Sequence, residues 1–248
     1  MKHLLRGAIV PALLLVLWEL ASRRGTILNT LSRPSDILLA LLSSLRDGSI
    51  LIATVQTFEA ALLGVALAAV VGILVGTILG LSPTVEGVTG PTIEALRPIP
   101  AVAFLPLALM MFGFGVGLEA SIVAYACIWP IMIVTITAVR NIEPRLLDVA
   151  DVMEMSFAEK LRKIILPAAF ARINVGLRVA AGIALVVAVT TEIVLNPRGL
   201  GYSLILAQQS LNVALMYAQL VWLCIIGVLL NAALRALGGG STAAWRPA

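Results

Sequence analysis

Long runs of residues without a charged side chain dominate the chain from residue 60 onwards. Four such runs cover residues 60–85, 98–118, 120–139 and 199–234. A helix that crosses a membrane needs about 20 consecutive apolar residues, and each run is at least that long. No run alternates between apolar and polar positions, so the pattern predicts helices rather than strands.

These runs, with two further apolar segments, predict an all-α polytopic transmembrane helical bundle of about six spans. The expected spans are residues 8–22, 52–81, 92–112, 118–138, 173–195 and 212–235. The first follows Lys2 and Arg6 and is interpreted as a retained span, with a signal peptide as the alternative. Before the second span, residues 37–45 are amphipathic and predict a helix in the membrane interface.

Composition agrees with a membrane protein and excludes other classes. Of the 248 residues, 60% are hydrophobic and 12% are charged, whereas soluble domains are about 45–50% apolar and about 25% charged. This excludes a soluble enzyme, a disordered protein and a free nucleic-acid-binding domain. We expect residues 1–248 to form one transmembrane domain in the lipid bilayer.

The distribution of Lys and Arg predicts the orientation. With the N-terminus in the cytoplasm, 12 of the 17 basic residues fall on the cytoplasmic side. The other five are Arg23, Arg24, Arg33, Arg46 and Arg198. Because cytoplasmic loops carry an excess of Lys and Arg, both termini are expected in the cytoplasm.

Few side chains are suited to catalysis or to cofactor binding. His3 is the only histidine, and Cys127 and Cys224 stand in apolar segments, where buried thiols are expected rather than a disulfide or a metal site. No lysine is followed by Ser or Thr, so a phosphate-binding P-loop is absent. The chain is therefore expected to hold no cofactor, not to be an enzyme, and to depend on a partner for energy.

Residues 140–172 form the most charged segment and predict a structured elbow of two short helices. Pro144 suits the first position of a helix, and apolar residues then recur at helical spacing. Ser156 and Glu159 form a capping box that starts the second helix. Pro167 is expected to end or kink that helix.

The apolar face of this elbow needs a partner. Its predicted anchors are Leu147, Ala150, Met153, Met155 and Phe157. One interpretation docks them in a hydrophobic groove of another protein. The other lays the elbow on lipid headgroups, with Lys160, Arg162 and Lys163 on the phosphates.

Several motifs then point to one family. In and after the elbow the sequence reads LDVADVMEMS from Leu147, ILPAA from Ile165 and GLR from Gly176. Elsewhere it reads LRPIPAVAFLPL from Leu96, GFG from Gly113, TTE from Thr190 and GLGY from Gly199. Over about residues 34–237 the chain resembles the binding-protein-dependent permeases of ABC importers, in particular the nitrate, sulfonate, taurine and bicarbonate group.

The resemblance implies a type I ABC importer permease in the bacterial cytoplasmic (inner) membrane that imports a small, anionic solute. It implies a second permease copy, expected as a homodimer, two cytoplasmic ABC ATPase subunits and an extracytoplasmic solute-binding protein. The elbow corresponds to the coupling helix that contacts the ATPase. The coupling residues implied are Leu147, Ala150, Asp151, Met153, Glu154, Met155, Ser156 and Phe157. Relatives usually have Gly at the position of Glu154, which bears on the bend of the elbow.

Small residues recur at every fourth position of the second span and predict a face for close helix packing. They are Gly64, Ala68, Gly72, Gly76 and Gly80. The neighbour is either another helix of the same chain or the second permease.

A translocation path is expected beside the third span, because proline-broken helices are tolerated where they line a cavity. The expected path residues are Phe104, Pro106, Met110, Met111 and Glu192. Ordinary packing is the alternative for the first four, and Glu192 either faces the outer end of the path or braces the following loop. Glu59 and Glu119 are expected to be structural or interfacial.

An ion-gradient-driven secondary transporter or a channel is the alternative function. It would need ionisable groups deep in the spans, of which the sequence offers few. It would also leave the elbow unexplained.

Overall fold

The computed structural model describes residues 2–23 and 31–242, with the side chains of residue 10, residues 13–23 and residues 31–236. These described residues are mostly helical and contain no strand. The helices are α1 Lys2–Arg23, α2 Pro34–Arg46, α3 Ser49–Leu81, α4 Pro83–Leu96, α5 Leu105–Phe112, α6 Val116–Arg140, α7 Pro144–Val152, α8 Phe157–Lys160, α9 Leu166–Val194, α10 Gly199–Gln209 and α11 Val213–Thr242.

Within the described part of the chain, four helices are long and apolar enough to cross a membrane. They are α3, α6, α11 and the continuous helix Phe157–Val194 that contains α8 and α9; α4 and α5 together would make a fifth. The predicted first span falls in α1, where the side chains of residues 2–9, 11 and 12 lie outside the described set. Arg24 and Arg246, which enter the orientation argument, lie outside it as well. The span over residues 8–22 and the orientation therefore stay predictions.

The third span is broken rather than continuous, which corrects the prediction of one helix over residues 92–112. Helix α4 ends at Leu96, and a short 3-10 turn, Ala101–Phe104, leads into α5. The segment Ala101–Phe112, which contains the turn and α5, is bent by 84° relative to α4. Pro98 and Pro100 lie in the break. Proline has no backbone N–H and its ring clashes with the preceding helical turn, so two prolines in three residues end α4 here.

Two other helix bounds differ from the sequence prediction. Pro167 was expected to end or kink the helix that starts at Phe157. It does not end it: the helix continues through a π turn over Leu161–Ile165 and runs on to Val194, and the kink stays a prediction. A further helix, α10, occupies residues expected as an outer loop.

The core consists of α3, α6 and α9, and the small-residue face of α3 packs against α6 of the same chain. A Cβ atom added at Gly64 would lie 2.5 Å from the Val123 side chain, and one at Gly76 would lie 2.8 Å from the Met132 carbonyl. Each of these distances is shorter than normal van der Waals contact. The neighbour that the sequence left open is therefore α6.

Helix α9 covers the other side of α6 with a second series of small residues. Ala180, Ala184 and Ala188 are buried in the same cluster as Cys127, whose Sγ donates to the Ala180 carbonyl at 3.3 Å. Cys127 is thus the buried thiol that was predicted, whereas Cys224 is exposed on α11 in the isolated chain. Small residues on both neighbours allow the larger side chains of α6 to fill the core.

Candidate functional site: an elbow and a cleft beside the broken span

The elbow joins α6 to α9 through α7 and α8, as the sequence predicted. Pro144 takes one of the first positions of α7, where its missing N–H has no helical partner in any case. At the other end, Met155 N–H donates to the Ala150 carbonyl at 3.1 Å and Glu154 N–H to the Asp151 carbonyl at 3.0 Å. This pair of bonds is a Schellman motif, which ends α7.

Glu154 adopts a backbone conformation that normally favours glycine. Its φ is +50°, and left-handed backbone costs an L-residue about 1–2 kcal/mol. The bend therefore forms with Glu154 in the left-handed conformation, at a steric cost that glycine would not have.

The predicted capping box is confirmed and starts α8. Ser156 Oγ accepts from Glu159 N–H at 3.4 Å, and Glu159 Oε2 accepts from Ser156 N–H at 3.1 Å. An ion pair between Asp151 and Lys160 then connects the two helices of the elbow. The elbow is consequently a defined structure and not a flexible loop.

The faces of the elbow differ from the prediction for three of the proposed anchors. Ala150 is completely buried, Leu147 packs against the cluster around Ile142 and Ile165, and Met155 is half-buried. Ala150 and Leu147 therefore pack against the chain itself, and the contact of all three anchors with a partner stays a prediction. The other predicted coupling residues, Asp151, Met153, Glu154, Ser156 and Phe157, are exposed.

Between Pro144 and Lys160, two apolar residues that are more than half exposed were missed from the sequence. Val149 is 54% exposed and Val152 is 85% exposed, beside Met153 at 63% and Phe157 at 67%. We call these four side chains the elbow patch. A helical wheel could have found the two valines, because residues at 100° per position place both of them on the side of α7 away from Ala150.

Glu192 braces α10 at the end of the bundle opposite the elbow. The carboxylate is 2% exposed, and its Oε2 accepts from Gly201 N–H at 2.7 Å. Gly199 has φ +83°, and a side chain at Gly199 or Gly201 would overlap Glu192 or its helix. Of the two roles that the sequence left open for Glu192, the contacts favour the brace and not the path.

The remaining polar groups at this end also bond within the chain. Asn196 Nδ2 donates to Glu119 Oε1 and to the Gly115 carbonyl. Arg198 forms an ion pair with Glu59 at 2.7 Å. The carboxylates expected to be structural therefore tie α3 and α6 to the segment between α9 and α10.

The predicted path residues of the broken span fall into two groups. Phe104 is half-buried and lies against Tyr125, with ring centroids 4.7 Å apart. Pro106, Met110 and Met111 are exposed on α5, Met110 at 87%. None of them lines the cleft described next, so their assignment to a path stays a prediction.

A cleft of about 460 Å³ separates α4 from the C-terminal half of α6. Its charged lining residues are Glu86, Glu94, Arg97 and Arg140, and Glu86 and Arg140 form an ion pair with each other. No residue of α4 is buried. Among the described residues, no group of three His, Cys, Asp or Glu side chains could hold a metal ion.

Residues 68–239 match the family described as "Binding-protein-dependent transport system inner membrane component". The chain belongs to this family. It is therefore a multi-pass membrane permease, which agrees with the resemblance found in its motifs.

Three named transport permeases are similar to this chain over two thirds of its length or more. The taurine transport system permease protein TauC of Escherichia coli is 32% identical, covering 92% of this chain and 85% of TauC. The putative aliphatic sulfonates transport permease protein SsuC of Bacillus subtilis is 28% identical, covering 94% and 85%. The bicarbonate transport system permease protein CmpB of Synechococcus elongatus is 32% identical, covering 68% and 61%.

Solved structures show the same fold. A chain of the MetNI methionine ABC transporter, in inward-facing conformations, superposes with a TM-score of 0.66 at 17% identity, over 75% of this chain and 93% of that chain. A chain of an amino acid ABC transporter crystallised with histidines gives 0.63 at 17% identity, over 80% and 97%. The all-α bundle is accordingly that of the type I ABC importer permeases.

Proposed function

We propose that this chain is the membrane subunit of an ATP-driven importer of a small solute with an acidic group, of the sulfonate, taurine, bicarbonate or nitrate kind. In this proposal two copies form the permease, both termini lie in the cytoplasm, two ATPase subunits bind the elbows, and an extracytoplasmic binding protein delivers the solute. The relatives named above support the solute class, and the missing P-loop supports a separate ATPase.

The elbow patch is the observation that carries the proposal. Four apolar side chains are more than half exposed on a segment that also carries many charges and adjoins the inner ends of α6 and α9. Exposed apolar clusters of this kind mark interaction sites. A groove on an ATPase would cover the elbow patch and leave the charged residues at its rim.

The contacts of the elbow count against the alternative, in which it lies on lipid headgroups. That arrangement needs Lys160, Arg162 and Lys163 on phosphates. Lys160 instead pairs with Asp151, and Lys163 pairs with Glu159 at 2.8 Å. Two of the three cations are thus already neutralised by the elbow itself.

Co-purification tests the proposal. The chain is isolated from its native membranes in a mild detergent, and an ATPase with a P-loop should accompany it. Val152→Asp places a charge in the centre of the elbow patch, where an unpaired charge in a buried interface costs several kcal/mol, and should reduce the amount of ATPase at least about tenfold.

Leu211→Asp is the matched control, because Leu211 is also 85% exposed but lies between α10 and α11. This variant should retain the ATPase. Undiminished ATPase with Val152→Asp would overturn the coupling role of the elbow patch. Absence of any ATPase, with uptake that stops when the proton gradient is dissipated, would favour the secondary transporter.

A further inference from the structure

The cleft between α4 and α6 reaches the interior of the membrane. Tyr125 donates from its hydroxyl to the Leu96 carbonyl at 2.8 Å, so the end of α4 lies level with Tyr125 of α6. Tyr125 is about four turns from the inner end of α6 at Arg140, or roughly 22 Å along the helix axis. Because the hydrocarbon core is about 30 Å thick, this places Arg97 within the core. The sequence-based orientation had counted Arg97 on the cytoplasmic side.

Glu94 and Arg97 are charged, line this cleft, and are exposed to it. Neither side chain has an ion pair or a hydrogen bond within the part of the chain that the structure describes. The other two charged lining residues, Glu86 and Arg140, pair with each other. Unpaired charges at membrane depth are costly and mark functional positions.

The spacing of the two charges restricts what they can bind together. Residues three apart on a helix are neighbours, with Cβ atoms about 5–6 Å apart, so one small molecule can contact both. A simple anion would be attracted by Arg97 and repelled by Glu94. A zwitterion would satisfy both charges, with its acidic group on the guanidinium and its ammonium on the carboxylate.

We propose that the cleft binds a small zwitterionic solute, such as an amino acid or an aminosulfonate, between Arg97 and Glu94 on its way through the membrane. This inference rests on the proposed function, since it assumes that the chain transports a solute. The cleft volume of about 460 Å³ is ample for such a molecule, and falls in the usual range of about 300–1,000 Å³ for ligand sites. Arg97 would hold the acidic group through a charge-assisted, two-point contact.

A cysteine-protection experiment tests this binding site. Ile133, which lines the cleft on α6, is replaced by Cys in a Cys224→Ser background; Cys127 is buried and can remain. The full complex in mild detergent is treated with N-ethylmaleimide in the presence of 2-aminoethanesulfonate or of ethanesulfonate. The two solutes differ only in the ammonium group.

The zwitterion should protect the thiol at a concentration at least about tenfold lower than ethanesulfonate does, because a hydrogen bond between charged groups contributes to only one of the two complexes. Glu94→Gln should remove this difference between the solutes. Arg97→Gln should weaken protection by both, whereas Arg46→Gln, a matched charge removal on the exposed end of α2, should change neither.

Equal protection by the two solutes would overturn the assignment of a zwitterion, and absence of protection by both would overturn the binding site. ATPase co-purification is measured on the same samples. If the ATPase co-purifies but neither solute protects the thiol, only the binding site in the cleft is contradicted. If no ATPase co-purifies with the unsubstituted chain, the proposed function is contradicted.

Discussion

The core and the elbow are both rich in apolar residues, but the two regions use them in opposite ways. In the core, glycines and alanines of α3 and α9 match the larger side chains of α6, and added atoms would overlap their neighbours. At the elbow, four large apolar side chains have mostly solvent around them. Apolar residues of the core are thus packed against the chain itself, whereas those of the elbow patch are available to contact another molecule.

The elbow itself contains both kinds of residue. Its inner side, with Ala150 and Leu147, packs like the core. Its outer side carries the elbow patch. One short helix of nine residues, α7, therefore joins a structural surface to a surface for recognition, and substitutions on its two sides should have different consequences.

The largest effect is expected from filling the close contact between α3 and α6. Gly72→Leu together with Gly76→Leu would force side chains into the Ile131 side chain and the Met132 backbone, at 3.0 and 2.8 Å from the new Cβ atoms. Overpacking costs about 1–3 kcal/mol for each site, so the double variant should lose its thermal transition in detergent or unfold at a much lower temperature.

Gly87→Leu in α4 is the control for this double variant, because nothing lies within 4 Å of a Cβ atom added there. It should unfold close to the parent temperature. If the double variant unfolds like the control and assembles normally, the tight contact between α3 and α6 is wrong.

A smaller but still severe effect is expected from Ala150→Arg. The side chain at this position is fully buried against its own chain, so a guanidinium there should detach α7, at a cost of about 3 kcal/mol or more. We expect new protease cleavage between residues 140 and 165 together with loss of the ATPase. Val152→Asp should lose the ATPase without new cleavage, and equal cleavage of the two variants would erase the distinction between the two sides of α7.

The smallest effect is expected from Glu154→Gly, and it should be stabilising. Glycine adopts the left-handed backbone of Glu154 without the steric cost of about 1–2 kcal/mol, although it loses more freedom on folding. The net gain should be about 0.5–1 kcal/mol, seen as slower hydrogen exchange of the Met155 amide, which bonds to Ala150. Faster exchange in this variant would contradict the Schellman geometry.

The sequence predicted those features whose signal is local. Helix starts at Pro144 and the capping box at Ser156 depend on residues within one turn, and the structure contains both. The small-residue face of α3 could be read from a four-residue period, but its neighbour could not, since α6 and a second copy would present similar apolar surfaces.

Features that depend on contacts distant in sequence escaped prediction. An alanine such as Ala150 is compatible with a buried face and with a docking face, and only the packing of the folded elbow decides between them. The role of Glu192 depended on Gly199 and Gly201 allowing α10 to approach it. The charges at Glu94 and Arg97 could be seen in the sequence, but their shared cleft required the break at the following prolines.

The helix Phe157–Val194 gives the molecule a mechanical lever. Its 38 residues correspond to a rod of about 57 Å, longer than the bilayer core is thick. One end is fixed to the elbow by the cap at Ser156, and Glu192 at the other end holds the backbone of Gly201. If the rod pivots at its middle, a tilt of about 5° displaces each end by roughly 2.5 Å in opposite directions. A displacement of the elbow would therefore move α10 at the far end of the rod without any change within the helix itself.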